Sequence, residues 1–202
     1  MKTDVVLLKA RIKPWLADLL DEAGLQSLLD RKLAGSRIVI EIAPEKDSKH
    51  LLCHAYARPE RDKRVSKKQR AQWEKAWRKI TEDKKAVVCR LSYALQCAGA
   101  DSQEEAAAHY VVQTDTDKGW FDEISAWYDT EHMPGLASVP GTIHAVRFLN
   151  ADQGPKSIAC YDLKNEDVLG SPPWLAVRAT DWSSKCRPHF KNTLRTMFRV
   201  LS

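Results

Sequence analysis

Apolar and polar positions in the first half of the chain follow one another in blocks that predict the order β-α-β-β-α-β. Four runs with β-branched content or two-residue alternation predict strands at residues 5–12, 37–43, 51–57 and 86–95. Pro14 precedes Trp15 and a series of leucines at helical spacing, which predicts a helix between the first two strands. A second helical stripe carries Trp73 and Trp77, with Ser66 as its predicted N-cap.

The second half repeats this order of elements. Four further runs predict strands at residues 109–113, 142–149, 157–163 and 193–201. Between the first two of them, residues 118–132 predict a helix with Trp127 and Tyr128 on its apolar stripe. A helical region with Trp174 and Trp182 follows the third strand, with two prolines interrupting its beginning.

Matching residues recur between the halves at a nearly constant offset. Trp15 lies 105 residues before Trp120, and Trp77 lies 105 residues before Trp182. We interpret this offset, together with the shared element order, as an internal duplication. The alternative is that the halves resemble each other only because their periodicities agree.

A duplicated βαββαβ unit has a consequence for the fold. Such a unit forms an antiparallel sheet with both helices on one face, and its bare face needs a cover. We therefore predict an α+β fold of two tandem ferredoxin-like βαββαβ modules, 1–98 and 107–202, that form one intrachain α+β barrel. Because each sheet covers the other, no partner chain is needed to complete the barrel. The polar, alanine-rich segment 99–106 is the predicted linker.

The net charge of +5 is concentrated in one segment. Residues 58–85 contain twelve Lys or Arg and five Asp or Glu, so the rest of the chain is slightly acidic. A basic segment can attract a polyanion, but Trp73 and Trp77 fall on the apolar stripe and not among the charges, where they would stack on bases. We therefore expect a solvated helix, and nucleic-acid binding stays the third and weakest of the functional alternatives.

The cysteines and the terminal sequence indicate a cytoplasmic protein. The five cysteines are odd in number and form no C-x-x-C pair, which is typical of reduced thiols. The apolar run at the N-terminus is too short for a signal peptide, and no run reaches membrane-spanning length. His50 and His54 share a strand face that Cys53 does not, so no metal site is predicted.

An ordered series of motifs marks the chain from Trp127 onward. It consists of W-Y-D-T-E-H-M-P at 127–134, V-P-G at 139–141, S-P-P-W-L at 171–175 and R-P-H-F at 187–190. This series resembles the EthD-like branch of the dimeric α+β barrel superfamily, and the resemblance covers about residues 107–202. The first half departs from the pattern, since Q-S-L-L stands at 26–29 where the repeat would place a second His-x-Pro.

The resemblance implies a ferredoxin-like module that pairs with another to form a barrel. Members of the superfamily include cofactor-free cyclases, isomerases and monooxygenases that act on aromatic or polyketide-like compounds. Because one fold supports many chemistries, the implied fold is firmer than the implied function. The departure in the first half implies one working site, in the second module.

His132 and Tyr128 are the candidate catalytic residues. They lie four residues apart on one helical stripe that should face the sheet. An imidazole at the open end of a helix–sheet cleft can exchange a proton with a carbonyl compound, and Asp129 can orient the ring. The alternative is a structural His132 whose cationic form caps the C-terminus of the helix before Met133-Pro134.

Further side chains are candidates for binding a substrate, although each aromatic one can equally belong to the core. The candidates are Trp127, His144, Arg147, Phe148 and Trp174. His144 and Phe148 alternate onto one face of their strand and Arg147 onto the other.

We predict a cavity that these residues and His132 bound. The corresponding place in the first half is expected to be filled by leucines, namely Leu25, Leu28 and Leu29.

These observations lead to two functional hypotheses. The first is a small-molecule-binding α+β barrel that acts as a cofactor-independent isomerase, cyclase or lyase by acid–base chemistry on an aromatic or polyketide-like compound. The second is a non-catalytic ligand-binding or structural barrel. The expected partner is a small apolar or aromatic ligand, and no cofactor or metal is expected.

Overall fold

The computed structural model describes residues 5–17, 39–44, 49–58 and 65–201. The fold is mixed α+β, with antiparallel pairing between the strands. The chain divides into two compact units. The first unit comprises residues 1–92, 150–153 and 199–202, and the second comprises residues 93–149 and 154–198.

Eight strands lie in the described ranges. They are β1 (Val5–Ile12), β2 (Val39–Pro44), β3 (Leu51–Ala57), β4 (Val87–Ala98), β5 (Ala108–Thr116), β6 (Thr142–Asn150), β7 (Ser157–Leu163) and β8 (Phe190–Leu201). Each corresponds to a predicted strand. β4, β5 and β8 extend into more polar residues than the pattern predicts, because backbone pairing and not apolarity sets where a strand ends.

Six α-helical segments are described. They are α1 (Pro14–Ala17), α2 (Lys67–Thr81), α3 (Phe121–Trp127), α4 (Met133–Ala137), α5 (Pro172–Arg178) and α6 (Asp181–Cys186). The first helix predicted from the leucine spacing lies mostly outside the described residues. The two prolines predicted to interrupt α5 instead begin it, since proline fits the first helical turn.

In the first unit, the strands have the order β4–β1–β3–β2. Helix α2 packs on β1, and the indole Nε1 of Trp77 donates a hydrogen bond to the Lys9 carbonyl at 3.2 Å. Ser66 caps α2 as predicted, its Oγ accepting from the Gln69 backbone N–H at 3.1 Å.

The charged face of α2 agrees with the amphipathic pattern. Trp73 and Trp77 are buried, whereas the described Lys and Arg of the basic segment are exposed, apart from the half-buried Arg70. The helix therefore presents charge to solvent and keeps its aromatic rings in the core.

In the second unit, the strands have the order β8–β5–β7–β6. Tyr161 of β7 lies opposite Tyr110 of β5 and Ala145 of β6, so these three residues share one face of the sheet. This face packs against the helices in a core that includes Trp127 and Trp174. The sheet face with Tyr110 and Tyr161 is therefore the floor of any space between sheet and helices.

The helix predicted over residues 118–132 differs from the one observed. Helix α3 ends at Trp127, and a π-helical turn over Tyr128–His132 leads directly into α4. The Met133 backbone N–H donates to the Tyr128 carbonyl, five residues back, which closes this wider turn. Pro134 therefore does not end the helical path, because the ladder of α-helical hydrogen bonds is already interrupted just before it.

All five cysteines are free thiols, and four of them are buried. Within the described ranges, no helix has the length and apolarity to span a membrane.

Two tryptophans of the first unit that differ in burial, Trp77 and Trp15, allow this packing to be tested. We expect Trp77→Phe to lower the free energy of unfolding by about 2–3 kcal/mol, because it removes a buried donor and part of a filled volume. Urea denaturation followed by circular dichroism measures the change.

The matched control is Trp15→Phe, since Trp15 is 53% exposed. This variant should shift the free energy of unfolding by no more than about 0.5 kcal/mol. Equal effects at the two positions would contradict the burial described.

Candidate functional site

A cleft opens between the sheet and the helices of the second unit. Tyr110, Val112 and Tyr161 form its floor, and Trp127, Tyr128, His132 and Leu136 form one wall. Trp174 and Arg178 of α5 form the opposite wall, with Arg187, Phe190 and Arg195 at the rim. The cavity volume is about 30 Å³. This volume holds a few water molecules, so a larger ligand needs the rim side chains to move.

The π turn brings the candidate catalytic residues to this wall. Because its hydrogen bonds join residues five apart, Trp127 and His132 become neighbours, and their rings stack with centroids 4.1 Å apart and 22° between the planes. The Tyr128 ring lies edge-on to the imidazole, with centroids 5.5 Å apart. The structure therefore brings together Trp127, Tyr128 and His132 as the sequence predicts, and Trp174 lies across the cleft from them.

The imidazole of His132 is buried and lacks a hydrogen-bond partner at Nδ1. Burial lowers the pKa of His132 from its ordinary 6.5 to about 3, and the positive charges of Arg178 and Arg187 contribute to the decrease. The ring is therefore neutral near pH 7. A cation at a helix C-terminus is not supported here, because the helical path continues beyond His132 to Ala137.

Hydrogen bonds to two glutamates connect this wall to α6 and its N-cap residue. Oε1 of Glu131 accepts hydrogen bonds from Trp127 Nε1 at 3.2 Å and from Thr180 Oγ1 at 2.6 Å. Oε1 of Glu123 accepts from Trp182 Nε1 at 3.1 Å and from Lys185 Nζ at 2.7 Å. These bonds fix the ring of Trp127 and, through the stacking, the plane of His132.

Asp129 does not orient His132, contrary to the prediction. Its Oδ1 accepts hydrogen bonds from Nη2 and Nε of Arg147 at 2.8 and 3.2 Å, and Arg147 lies over the Tyr128 ring at 5.5 Å. Arg147 is buried, so it requires this carboxylate as a partner. Arg147 therefore contacts the residues of the wall, Tyr128 and Asp129, but does not line the cleft.

His144 and Phe148 also do not line the cleft. Strand alternation places them on the sheet face opposite Ala145 and Arg147. On that face His144 Nδ1 lies 3.7 Å from Asp162 Oδ2, while His109 Nδ1 lies 2.6 Å from the other oxygen. Burial alone would raise the pKa of Asp162, but the hydrogen bonds with the two histidines lower it overall.

The tyrosines of the cleft are un-ionised near neutral pH. Burial raises the pKa of Tyr128 far above its usual value, and the charge of Arg147 only partly opposes this effect. Burial likewise raises the pKa of Tyr110, and the positive charges of Arg195, Arg178 and Arg187 only partly oppose this effect. Tyr128 can therefore act as a neutral hydrogen-bond donor in the cleft, but not as a base.

Sequence reasoning missed the three arginines of the cleft, Arg178, Arg187 and Arg195. They lie on α5, on the 3₁₀ turn Arg187–His189 and on β8, so no local motif joins them. The charge pattern did hold a signal, because residues 171–202 contain six Lys or Arg and one Asp, but the basic segment 58–85 dominates the net charge. Only the fold brings these side chains to one opening.

Two further predictions concern metal binding and the first half. Among the described residues, no group of three His, Cys, Asp or Glu is arranged to hold a metal ion. Leu25, Leu28 and Leu29, expected to fill the equivalent place in the first half, lie outside the described residues.

Comparisons with known proteins show the fold. No family model and no curated protein sequence matches the chain. Among solved structures, an anthrone oxidase-like protein aligns with a TM-score of 0.61 and 13% identity, covering 100% of this chain and 92% of that chain. A heme-binding protein from Thermus thermophilus aligns with a TM-score of 0.58 and 10% identity, covering 100% and 92%.

A third structure names the fold. It is a ferredoxin-fold protein from Listeria monocytogenes, related to antibiotic biosynthesis monooxygenases. It aligns with a TM-score of 0.52 and 7% identity, covering 100% of this chain and 96% of that chain. The chain thus shares its mixed α+β, ferredoxin-like fold with monooxygenase-like proteins over its whole length.

Proposed function

We propose that the second unit binds a small aromatic or polyketide-like molecule in the cleft of Tyr128 and His132 and transfers a proton to or from it without a cofactor. The supporting observation is a buried, neutral imidazole with an unpartnered nitrogen, set among aromatic rings. Aromatic walls combined with convergent polar groups are typical of small-molecule sites. Proton transfer next to a carbonyl would make the protein an isomerase, cyclase or lyase.

The role of each residue follows from its environment. His132 is the proton acceptor, because its neutral form carries a lone pair, and Tyr128 donates a hydrogen bond to the developing oxyanion. Trp127 and Trp174 hold the ring of the ligand from either side. The low pKa of His132 limits its basicity in the empty cleft. The competing proposal is therefore a barrel that binds the same ligands without reaction.

The heme-binding neighbour raises the question of a haem in this cleft. The residues do not fit one, because His132, the histidine of the cleft lining, is buried with its ring packed flat against Trp127.

We also propose that the chain is a tandem of two ferredoxin-like modules, 1–98 and 107–202, that completes one barrel without a partner chain. Three observations support this: the repeat offset, the same relative strand order in each unit and the alignment of single-chain ferredoxin-fold structures along the whole length. The free state of all five thiols supports a cytoplasmic location.

The tandem proposal predicts a monomer in solution. Light scattering after gel filtration should give a mass near 22.9 kDa, because no sheet face is left that requires a second chain. A dimer whose barrels each combine strands of two chains, seen by X-ray scattering or crystallography, would overturn the proposal.

Proton transfer can be tested with 2-tetralone, a neutral aromatic ketone with acidic C–H groups. In D₂O the protein should accelerate exchange of the C1 protons, followed by NMR, and His132→Ala should reduce this acceleration by about 10²–10⁴-fold. The matched control is His189→Ala, because His189 stacks on Trp120 and does not line the cleft. If wild type and His132→Ala exchange the ketone equally, the non-catalytic alternative replaces this proposal.

The buried state of His132 predicts a pH dependence of stability. The unfolded chain binds the imidazole proton near pH 6.5 and the folded chain only near 3. Stability from this group is therefore complete above the unfolded pKa and falls as the pH decreases toward 3, by about 1.4 kcal/mol per pH unit.

His132→Gln removes this titration. When the pH is lowered from about 7 to about 4.5, the unfolding free energy of the wild type should decrease more than that of His132→Gln. Urea titrations at the two pH values measure it. Parallel changes in both proteins would mean that His132 is solvated and not buried.

A further inference from the structure

The three arginines of the cleft carry positive charge without a matching carboxylate. Within the part of the chain that the structure describes, Arg178, Arg187 and Arg195 form no ion pair with an acidic residue. Burial lowers the pKa of Arg187, and its like-charged neighbours Arg178 and Arg195 lower it further. Three guanidinium groups held around one opening at mutual electrostatic cost indicate a site for negative charge.

Two buried nitrogen atoms add a second, independent observation. His132 Nδ1 and Trp174 Nε1 are both without a hydrogen-bond partner, in side chains only 8% and 1% exposed. Buried polar atoms are normally paired, and each unpaired one costs free energy. Both side chains line the same cleft as the arginines, so a single ligand with oxygen atoms can satisfy the nitrogens and the charges.

We propose that the ligand of this cleft is an aromatic carboxylate, with its ring among Trp127, Tyr128 and Trp174 and its carboxylate held by Arg178, Arg187 and Arg195. This proposal rests on the proposed function and names the substrate class of the same site. Arginine suits the carboxylate because its planar fork donates two parallel hydrogen bonds. It also suits an aromatic surrounding, since the guanidinium stacks on rings.

The exposed positions of two of the arginines explain how a ligand enters. Arg187 and Arg195 border the opening and are exposed, whereas Arg178 is half-buried. Long exposed side chains change rotamer at little cost, so these two can move outward and then close over the carboxylate.

A bound carboxylate also changes the environment of His132. The charged groups around its ring are Arg178 from α5 and Arg187 from the 3₁₀ turn, while Tyr110 and Tyr128 are neutral phenols. An anion at the arginines offsets their positive charge. The imidazole then becomes a better proton acceptor when the ligand is present.

Calorimetry with a matched pair of ligands tests the proposal. The probes are 2-naphthoate and 2-naphthamide, which share a ring system and differ in charge. We expect the wild type to bind 2-naphthoate at least about tenfold more tightly than the amide. Arg187→Gln should weaken 2-naphthoate binding by about 10- to 100-fold and leave amide binding unchanged, since one charge-assisted contact is lost.

The control variant is Lys118→Gln, which removes an equal charge at an exposed residue that does not line this cleft. It should bind both probes as the wild type does. Equal affinity of the wild type for the two probes, or an unchanged preference in Arg187→Gln, would overturn the anion site while leaving small-molecule binding intact. If neither probe binds at millimolar concentration, the aromatic carboxylate is excluded and the 2-tetralone experiment alone decides the proposed function.

Discussion

The desolvation of one imidazole controls the chemistry of this cleft. His132 lies against the face of Trp127 and the edge of Tyr128, away from water and without a partner at Nδ1. Desolvation disfavours the charged ring, which keeps a proton acceptor available at neutral pH but makes it weak. Other residues of the site maintain this desolvated environment, and an anion bound at the three arginines can offset its effect on the basicity of the ring. Glu131 maintains it by fixing the indole of Trp127.

Charge separation between the two faces of the sheet is the second feature of the unit. On the helix-facing side the buried guanidinium of Arg147 pairs with Asp129, and the three arginines of the cleft stay unpaired. On the other side Asp162 lies between His109 and His144. Strand alternation therefore places His109, His144 and Asp162 on the sheet face away from the cleft.

The sequence predicts the strands well and the cleft only in part. Periodicity and β-branched content are local signals, and they located β1, β3 and β7 with their observed bounds. The wall with Trp127, Tyr128 and His132 was also accessible, because its residues are neighbours in one motif. The faces of His144 and Arg147 could be separated by alternation, but nothing local shows which face the helices cover. The arginines come from three different elements, and only the tertiary structure shows that their side chains share one opening.

The π turn has an implication for how such a site can arise and be lost. A π turn is an α-helix with one additional residue, so an insertion within an ordinary helix can create it. Removing one residue between Trp127 and His132 would restore the regular ladder and leave the two rings four residues apart, and residues four apart are also neighbours on an α-helix. The imidazole would then stay beside the indole, because the wider turn only absorbs the additional residue. Among proteins of this fold, a helix shorter by one residue here can therefore keep the histidine in the site, and replacement of the histidine itself, not a change in length, removes the site.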